Sequence, residues 1–337
     1  MKRWIALLLG LALLLGGCAR GNGPHQVTYL NVFDTVTTLV SYGMTQGEFD
    51  TAAGEIYGKL YTYHRLFDIY HDYAGIKNLK NVNDMAGVAP VKVEEAVIRL
   101  LEDCKAYYAL TQGRVNVAMG SVLRLWHDAR EQSLQDAAKA YVPAAEQLQA
   151  AAEHCRIDSI VIDREASTVY IADPEASLDV GAIAKGWACQ QVAQEAPAGM
   201  LISVGGNVCI TGAKDDAGTA WTIGVQDPDR ADDYLQTIRA TGGAVVTSGD
   251  YQRVFTVDGR QYHHIIDPQT GMPGGYWRSV TVVCEDSGLA DALSTALFLL
   301  PLEQGKTLAA QCSAQVLWLD AQGRQFMTEG MASLLTQ

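Results

Sequence analysis

The stretch at residues 201–212, LISVGGNVCITG, holds two apolar runs rich in β-branched residues, separated by Gly205 and Gly206. Runs of this kind bounded by glycines are typical of β-strands joined by a short turn. The glycines leave a second interpretation open, since backbone without side chains also lets a ligand approach closely. The stretch therefore predicts sheet structure, with a turn that either only connects strands or also forms part of a binding site.

Strand-like runs dominate the second half of the chain. They are SIVID, TVYIAD, LISVGG, VCITG, WTIGV, AVVTSG, RVFTVDG, YHHIID and SVTVV. Residues 27–42 read as a strand or hairpin and residues 314–327 as a hairpin. Predicted helical segments cover residues 46–63, 92–110, 130–155 and 288–300, and Pro143 starts the second helix of the third segment. Strand clusters joined by short turns, with helices segregated from them, predict an α+β fold with mixed, largely antiparallel sheets rather than a doubly wound sheet.

The chain begins MKRWIALLLGLALLLGGC, in which basic residues precede an apolar run and small residues precede Cys18. This order is typical of a secretory leader, and the apolar run is too short to span a bilayer comfortably. Because LGGC resembles the bacterial lipoprotein signal, we expect residues 1–17 to be removed and Cys18 to be lipidated. Residues 18–26 would then form a tether, and residues 27–337 the functional domain. Two or more acyl chains would hold it firmly on the extracytoplasmic face of the cell membrane.

The leader has two alternative interpretations, a plain cleaved leader with an incidental cysteine and an uncleaved anchor. Both of them also predict export.

Acidic residues outnumber basic ones, 38 to 25, which gives a formal net charge of −13. Nucleic-acid binding needs basic clusters to neutralise phosphates, and the sequence shows none, so we expect no nucleic-acid partner. Six cysteines follow Cys18 without a C-x-x-C pair, and several lie in apolar runs such as VTVVC. They predict buried free thiols rather than a disulfide framework or a zinc site.

Residues 178–187, LDVGAIAKGW, place Asp179 at the end of a predicted strand and Lys185 just inside a predicted helix. Free N–H groups at a helix start and a nearby ammonium group both attract anions, so the arrangement favours a phosphate-bearing ligand. The spacing is not the G-x-x-x-x-G-K-[ST] of a P-loop, which argues against a nucleotide hydrolase of that type. An ordinary strand-to-helix turn with a solvated lysine is the alternative.

Asp291 and Thr295, in GLADALSTALFLL, are four residues apart and therefore share a face of the predicted helix. A carboxylate and a hydroxyl are costly to bury on an otherwise apolar helix without partners. A hard cation such as Mg²⁺ would satisfy both through oxygen ligands. In the alternative, this face reaches solvent and the Thr295 hydroxyl bonds back to the carbonyl of Asp291.

VTSGDYQR at residues 246–253 precedes YHHIIDPQTGMP at residues 262–273, where DPQTG favours a turn. His263 and His264 would point to opposite faces of a predicted strand, so at most one of them can face a given site. A histidine in a strand is more commonly structural than catalytic.

Five motifs follow one another in a fixed order, LDVGAIAKG, ISVGGN, TSGDYQR, YHHIIDPQTG and ADALSTALF. Behind a lipoprotein leader, this order closely resembles the ApbE-type FAD:protein FMN transferases, once described as thiamine-biosynthesis lipoproteins. The resemblance runs from about Phe33 to the C-terminus and is strongest over residues 178–300. It implies a bacterial envelope enzyme that binds FAD and Mg²⁺, transfers FMN to a threonine or serine hydroxyl of a partner protein and releases AMP.

The resemblance also implies roles for individual residues. Asp179 and Lys185 would contact FAD. The backbone carbonyl of Ala182 would join the side chains of Asp291 and Thr295 around the metal. The other positions matched to the flavin and nucleotide pocket are Phe33, Tyr70, Asn116, Val117, Ala118, Gly205, Gly206, Ser248, His264 and Ile265.

Some positions depart from the family pattern. Phe33 stands where the family usually has a methionine beside the flavin, and Asn116-Val-Ala where it usually has aspartate and proline. Tyr70 is the choice for the aromatic against the isoalloxazine ring. His264 or Asp250 could take the proton of the acceptor hydroxyl, and the sequence does not decide between them.

The acceptor signature of the family is serine or threonine, glycine, alanine, then threonine or serine, a string that this chain lacks. We therefore expect the acceptor to be another protein, most plausibly a membrane-associated redox subunit. Two other functions fit the same motifs, an FAD pyrophosphatase that leaves FMN free and a flavin-binding lipoprotein without activity. The Asp291–Thr295 pair argues against the last, since a mere binder has less need of Mg²⁺ at the pyrophosphate.

Overall fold

The computed structural model describes residues 23–230 and 232–336 of the chain. The predicted leader and the lipidated Cys18 lie outside these residues. The first strand begins at His25, so it includes the last two residues of the segment that the sequence assigns to a tether. Within the described part of the chain, no helix is both long and apolar enough to cross a membrane.

The described residues contain nine α-helices and fifteen strands, besides two short 3-10 helices and the connecting loops. The helices are α1 (Gln46–Phe67), α2 (Leu79–Asp84), α3 (Glu95–Leu110), α4 (Gly120–Gln135), α5 (Ala145–Ala152), α6 (Ala184–Glu195), α7 (Ser287–Phe298), α8 (Leu302–Gln311) and α9 (Glu329–Leu334). The strands are β1 (His25–Val32), β2 (Thr35–Ser41), β3 (Val91–Lys92), β4 (Ile160–Asp163), β5 (Thr168–Ile171), β6 (Met200–Val204), β7 (Asn207–Ile210), β8 (Trp221–Gln226), β9 (Tyr234–Ala240), β10 (Gly243–Gly249), β11 (Phe255–Val257), β12 (Arg260–Tyr262), β13 (Ser279–Cys284), β14 (Gln315–Leu319) and β15 (Gln325–Met327).

An eight-stranded sheet in the order β1-β2-β6-β7-β10-β13-β14-β15 forms the centre of the molecule. Its neighbouring strands are antiparallel throughout. Smaller antiparallel sheets are β3-β5-β4, β8-β9 and β11-β12. Gly205 and Gly206 connect β6 to β7 with φ angles of 60° and 90°, the left-handed conformation that a two-residue hairpin turn requires. The predicted α+β fold with largely antiparallel sheets is confirmed.

The central sheet is covered on both faces, because successive apolar side chains of its strands point to opposite sides. In β6, Ile202 packs with α1 and α6, whereas its neighbour Leu201 packs with β8 and β9 on the opposite face. In β2, Leu39 and Val40 divide in the same way. Successive side chains of a strand point to opposite faces, so apolar residues at both positions bury both sides of the sheet.

Helices α6 and α7 pack very closely against each other. A Cβ atom added to Gly186 of α6 would lie 2.3 Å from the Ser287 carbonyl oxygen and 2.5 Å from Cβ of Asp291, both in α7. Only a glycine permits this approach, because no other residue lacks Cβ. Most of α7 is buried, as expected of a helix that is apolar around its whole circumference.

Several local predictions were wrong. The first helix of the segment predicted at residues 130–155 has the wrong start, because α4 begins at Gly120. The second helix, predicted to start at Pro143, is found as α5, which begins at Ala145. α4 extends further because Val122, Trp126 and Ala129 bury one face in a small core with β11 and β12. Asp179 lies outside any strand, although Lys185 is inside a helix start as predicted.

The cysteine prediction was correct. All six cysteines of the described chain are free, three of them buried and three partly buried. The buried ones are Cys104, Cys189 and Cys209.

The close contact between α6 and α7 yields a stability prediction. Gly186→Ala should lower the free energy of unfolding by about 1–3 kcal/mol, since the new methyl group overlaps backbone atoms that cannot move independently. Gly58→Ala is the matched control, because Gly58 is also helical and has open space around its Cα. The control should raise stability by roughly 0.5–1 kcal/mol. Urea unfolding of both variants measures the difference, and equal stabilisation by the two would contradict the packing described.

Candidate active site

A cavity of about 510 Å³ opens between the central sheet, the start of α6, α4 and the segment after β12. Its volume lies within the usual range for small-molecule and cofactor sites. The structure brings twelve of the predicted site residues to its wall. They are Tyr70, Asn116, Val117, Asp179, Ala182, Lys185, Gly205, Ser248, His264, Ile265, Asp291 and Thr295.

Asp291 is the most buried of the charged groups at this wall, with 4% of its surface exposed. Its Oδ2 accepts a hydrogen bond of 2.8 Å from the backbone N–H of Gly186. Burial raises the pKa of Asp291, while the charge of Lys185, the Gly186 hydrogen bond and the nearby Asn207 side chain act in the opposite direction. The net rise in pKa means that these contacts compensate the buried charge only in part, so a bound cation would stabilise the carboxylate further.

The hydrogen bond to Asp291 satisfies a donor at the start of α6. Gly186 is the third residue of this helix, and the first four N–H groups of a helix have no acceptor within it. The Asp291 carboxylate accepts from this N–H across the helix contact. Ala182 precedes the helix and lines the cavity, and its carbonyl accepts no hydrogen bond from the described residues.

Thr295 lies one turn after Asp291 and lines the same cavity. The alternative in which its hydroxyl bonds back to Asp291 is not found, since Ser294 Oγ donates to the Asp291 carbonyl instead, at 2.9 Å. Ser294 is in turn 2.8 Å from Ser248 of β10, which fixes α7 on the sheet. The Thr295 hydroxyl has no hydrogen-bond partner in the described chain and remains available to a ligand.

The oxygens of Ala182, Asp291 and Thr295 fit a hard cation. They are a carbonyl, a carboxylate and a hydroxyl, which are donors that Mg²⁺ and Ca²⁺ accept. No cluster of three or more His, Cys, Asp or Glu side chains with metal-binding geometry occurs among residues 23–230 and 232–336. Oxygen donors of this kind favour a hard cation over zinc. Three protein oxygens leave coordination positions that oxygens of a substrate could fill.

Asp179 and Lys185 lie on either side of a tight turn. Asp179 Oδ1 accepts from the N–H of Gly181 at 2.8 Å, and Lys185 Nζ donates to the Gly181 carbonyl at 3.3 Å. Lys185 Nζ is also 3.9 Å from Asp291 Oδ2. Burial raises the pKa of Asp179, with the Gly181 hydrogen bond and the charge of Arg253 acting against it. Lys185 is thus placed between two carboxylates and toward the cavity.

His263 and His264 both line the cavity, which contradicts the prediction that at most one could face it. The strand prediction fails because β12 ends at Tyr262 and the two histidines lie beyond it. His263 is locked in place, because Nε2 donates to the Gly274 carbonyl at 2.9 Å and Nδ1 accepts from the Ile265 N–H at 3.2 Å. Its pKa is lowered by burial.

His264 has a different environment. Its Nδ1 donates to the Gln252 carbonyl at 3.1 Å, which leaves the lone pair on Nε2. Crowding by protein atoms, together with the positive charges of Arg253 and Lys185, lowers the pKa of His264 to about 3. The imidazole is therefore neutral at pH 7, while its exposed surface remains accessible to the cavity.

Four predicted site residues are not brought to this cavity. Phe33 packs against Phe67 and His64, Ala118 is buried in the core, and Gly206 faces open space. Asp250 lines a neighbouring cavity, where its Oδ2 is 3.4 Å from Arg278 Nε. Burial raises the pKa of Asp250.

Tyr70 lies at the cavity rim, where 52% of its surface is exposed. Its ring stacks on His127 with centroids 5.2 Å apart. Burial of the hydroxyl and the charge of Asp179 raise its pKa to about 12, so the phenol stays protonated. An exposed aromatic ring with one stacked face is suited to a planar ligand.

Other lining residues had not been assigned to the site from the sequence. Asn207 is 2% exposed, and its Nδ2 has no hydrogen-bond partner in the described chain. Arg253 is exposed and has a positive φ of 48°, and Arg114 pairs with both oxygens of Asp267 at 3.2 Å. Asn207 and Arg253 lie within the quoted motifs SVGGN and TSGDYQR, so the motifs did contain the signal. His127 directly follows residues 114–126, RVNVAMGSVLRLW, and carried no such signal of its own.

Comparison with known proteins agrees with this arrangement. A family model described as the ApbE family matches residues 33–318. An FAD:protein FMN transferase of Klebsiella pneumoniae (strain 342) is 33% identical over 231 residues, which cover 67% of this chain and 69% of that protein. A protein of the same name from Vibrio cholerae is 29% identical over 332 residues, which cover 95% of this chain and 94% of the relative.

Solved structures agree as well. The crystal structure of the ApbE protein of Thermotoga maritima superposes with a TM-score of 0.80 at 28% identity, over 94% of this chain and all of that one. The flavin transferase ApbE of Vibrio cholerae gives a TM-score of 0.76 at 25% identity, over 93% of this chain and all of that one. With the family model matching most of the sequence and both structures sharing the fold, this chain belongs to the ApbE family.

Proposed function

We propose that this protein transfers FMN from FAD to a threonine or serine hydroxyl of a partner protein and releases AMP. The relatives named FAD:protein FMN transferase support the reaction class. The observation that carries the proposal is the buried Asp291 carboxylate, which the Gly186 N–H holds at the wall of the cavity. The same cavity is lined by Ala182, Asp179 and Lys185. A transferred phosphoryl group needs cationic and metal contacts of this kind.

Charge supports a nucleotide substrate. The chain as a whole carries −13, yet the cavity is lined by more cationic side chains than acidic ones. The four cations are Arg114, Arg130, Lys185 and Arg253, and the three aspartates are Asp34, Asp179 and Asp291. Lys185 and Arg253 make no close ion pair within the described residues, apart from the 3.9 Å approach of Lys185 to Asp291. Positive groups in a partly enclosed cavity attract anions, so the pyrophosphate of FAD would bind here.

We assign the metal to Ala182, Asp291 and Thr295, whose oxygens fit Mg²⁺. When bound, Mg²⁺ would neutralise charge that builds up on the pyrophosphate oxygens during transfer. Lys185 would add a second positive charge on the same side. The buried, poorly paired Asp291 gives the metal its principal anionic ligand.

The reaction itself is a displacement at phosphorus. The acceptor oxygen forms a bond to the FMN-side phosphorus, the bond from this phosphorus to the bridging oxygen breaks, and AMP leaves with that oxygen. The hydroxyl proton must pass to a base. We assign the base to Nε2 of His264 from its position, since this nitrogen holds a free lone pair and the residue lines the cavity, whereas Asp250 lines the neighbouring one. The lowered pKa weakens the imidazole as a base, and a bound anion would raise that pKa by offsetting the charges of Arg253 and Lys185.

An FAD pyrophosphatase is the second candidate. The exposure of Tyr70 and His264 favours it, because water can then reach the place of the acceptor hydroxyl.

The partner that suits transfer is a membrane-associated redox subunit, and we propose that the protein is anchored through a lipidated Cys18 at the extracytoplasmic face of the cell membrane. The membrane association of the partner and the lipid anchor both rest on the sequence of the leader.

Mass spectrometry tests the proposed function. A candidate redox subunit is incubated with the protein, FAD and Mg²⁺, and AMP is assayed with and without the subunit. An FMN adduct on threonine or serine together with AMP supports transfer. AMP without an adduct supports the pyrophosphatase, and the lack of both products would contradict either enzyme.

Removing the metal carboxylate should abolish turnover. Asp291→Ala is expected to lower the rate of AMP release by about 100-fold or more, since one charged metal contact supplies several kcal/mol in the transition state. FAD affinity should weaken only partly, because Lys185 and Asp179 remain. Asp291→Asn keeps the side-chain volume and separates loss of charge from loss of packing. Asp158→Ala, at an exposed site outside the cavity, is the control, and undiminished turnover of both Asp291 variants would refute the metal assignment.

The environment of His264 predicts a pH dependence of stability. Its pKa is about 3 in the folded protein but near 6.5 in the unfolded chain, so the unfolded state binds more protons between these values. The contribution of His264 to stability therefore falls as the pH is lowered from about 7 to about 4. Asp179 and Asp291, with raised pKa values, act in the opposite direction but are present in both proteins compared.

His264→Gln should therefore lose less stability than the unmodified protein between pH 7 and pH 5. Urea unfolding midpoints at both pH values measure this difference. Equal losses in the two proteins would show that His264 is not held neutral by its surroundings.

A further inference from the structure

A second, smaller cavity of about 240 Å³ lies directly beside the candidate active site. The side chain of His263 lines both cavities and separates them. The volume is below the usual range for cofactor sites, so a second nucleotide does not fit it. A ligand that occupied both cavities at once would pass His263 to reach the flavin site.

The cavity forms where two neighbouring chain segments diverge. The segment after β12 pairs with the segment after the DPQTG turn, through an antiparallel bridge between Ile266 and Pro273 and a 3.0 Å bond from the Gly274 N–H to the Ile265 carbonyl. The main-chain pairing ends at His263, where the ring nitrogen Nε2 donates a hydrogen bond to the Gly274 carbonyl. Beyond this point, β12 on one side and residues 275–277 on the other line the cavity between them.

Main-chain groups on both sides of this cleft are free to pair. Gly275, Tyr276 and Trp277 take part in no backbone–backbone hydrogen bond with the described residues. β12 pairs with β11 alone, so its other edge carries no strand in the described structure. Unpaired strand edges are the usual template for binding an extended peptide by strand addition.

The side chains of the cleft supply contacts of two kinds. Tyr276 is 53% exposed, a large aromatic group without a covering partner. Arg260 is exposed and stacks over Tyr262, and it forms no ion pair within the described chain. Arg278 is already neutralised by Asp229 at 2.7 Å and by Asp250 at 3.4 Å. The cleft therefore offers one aromatic contact and one unpaired positive charge.

We propose that this cleft binds an extended segment of the acceptor protein, adjacent to the hydroxyl that receives FMN. Main-chain pairing with β12 or residues 275–277 would align the segment, Tyr276 would pack on it, and Arg260 would favour neutral or acidic flanking residues. His263 then forms the passage from the bound segment to the flavin cavity. The inference rests on the proposed transferase function, since a pyrophosphatase needs no such cleft.

Peptide kinetics test the inference. The probe is a synthetic 15-residue peptide with Ser-Gly-Ala-Thr at its centre and acidic flanks, and its FMN adduct is quantified by mass spectrometry. Tyr276→Ala and Arg260→Ala should each raise the KM for the peptide by about tenfold, the loss expected for one well-packed or charged interface contact. The dissociation constant for FAD should stay within about twofold, because neither residue lines the flavin cavity. Tyr141→Ala, at another exposed tyrosine outside both cavities, is the matched control.

The outcomes separate the two proposals. If the unmodified protein forms the adduct and the cleft variants do so with unchanged KM, the cleft proposal is overturned while the transferase stands. If the unmodified protein releases AMP without an adduct, or does neither, the transferase proposal fails and the cleft proposal with it. A loss of FAD affinity equal to the loss of peptide affinity would also overturn the inference, since the variants would then act on the flavin cavity.

A second probe isolates main-chain pairing. Peptides N-methylated at single positions beside the threonine lose one N–H donor while they keep every side chain. At least one such position should abolish modification, whereas alanine at that position should not. Equal modification of every N-methylated peptide would overturn binding by strand addition.

Discussion

The hydrogen bond from the Gly186 N–H to the Asp291 carboxylate is the contact on which the site depends. It joins the start of α6 to the middle of α7, and it is possible because Gly186 has no side chain to separate the two helices. The bond also gives an acceptor to one of the N–H groups that a helix start leaves free, while the Ala182 carbonyl just before α6 stays unpaired in the described chain. Packing and chemistry therefore have a common origin, because the close helix contact fixes the Asp291 carboxylate at the cavity wall.

The cavity concentrates cationic side chains in an otherwise acidic protein. Lys185 and Arg253 lie at its wall, and their charges combine with burial to hold His264 neutral. The cations that attract phosphates thus also weaken the neighbouring imidazole as a base, and a bound anion that offset their charge would make the ring a better proton acceptor. Arg253 adopts a left-handed backbone conformation that an arginine rarely takes, which is typical of functional loops.

Much of the fold followed from local patterns, and the errors have identifiable causes. The β-branched and apolar residues of β2 and β6 predicted strands correctly, because both faces of the sheet are covered and side chains on both faces are therefore apolar. The two histidines were misplaced because a run of β-prone residues continues past the point where β12 ends, and the hydrogen bonds of His263 to Gly274 and Ile265 bend the chain away from strand geometry. α4 was cut short because its buried face, formed by Val122, Trp126 and Ala129, is recognisable only from the core that it enters.

The sequence by itself determined the fold class, the order of the motifs, the family and twelve of the residues at the cavity wall. Glycines, charged residues at helix starts and polar residues on apolar helices carry these signals locally, so they can be read without coordinates. Only the tertiary structure decided that Asp250 and Phe33 lie away from the cavity, that Asn207 and Arg253 lie at it, and that a second cleft adjoins it at His263. Those facts depend on which surfaces of distant segments meet, and the sequence of one segment does not specify the position of another.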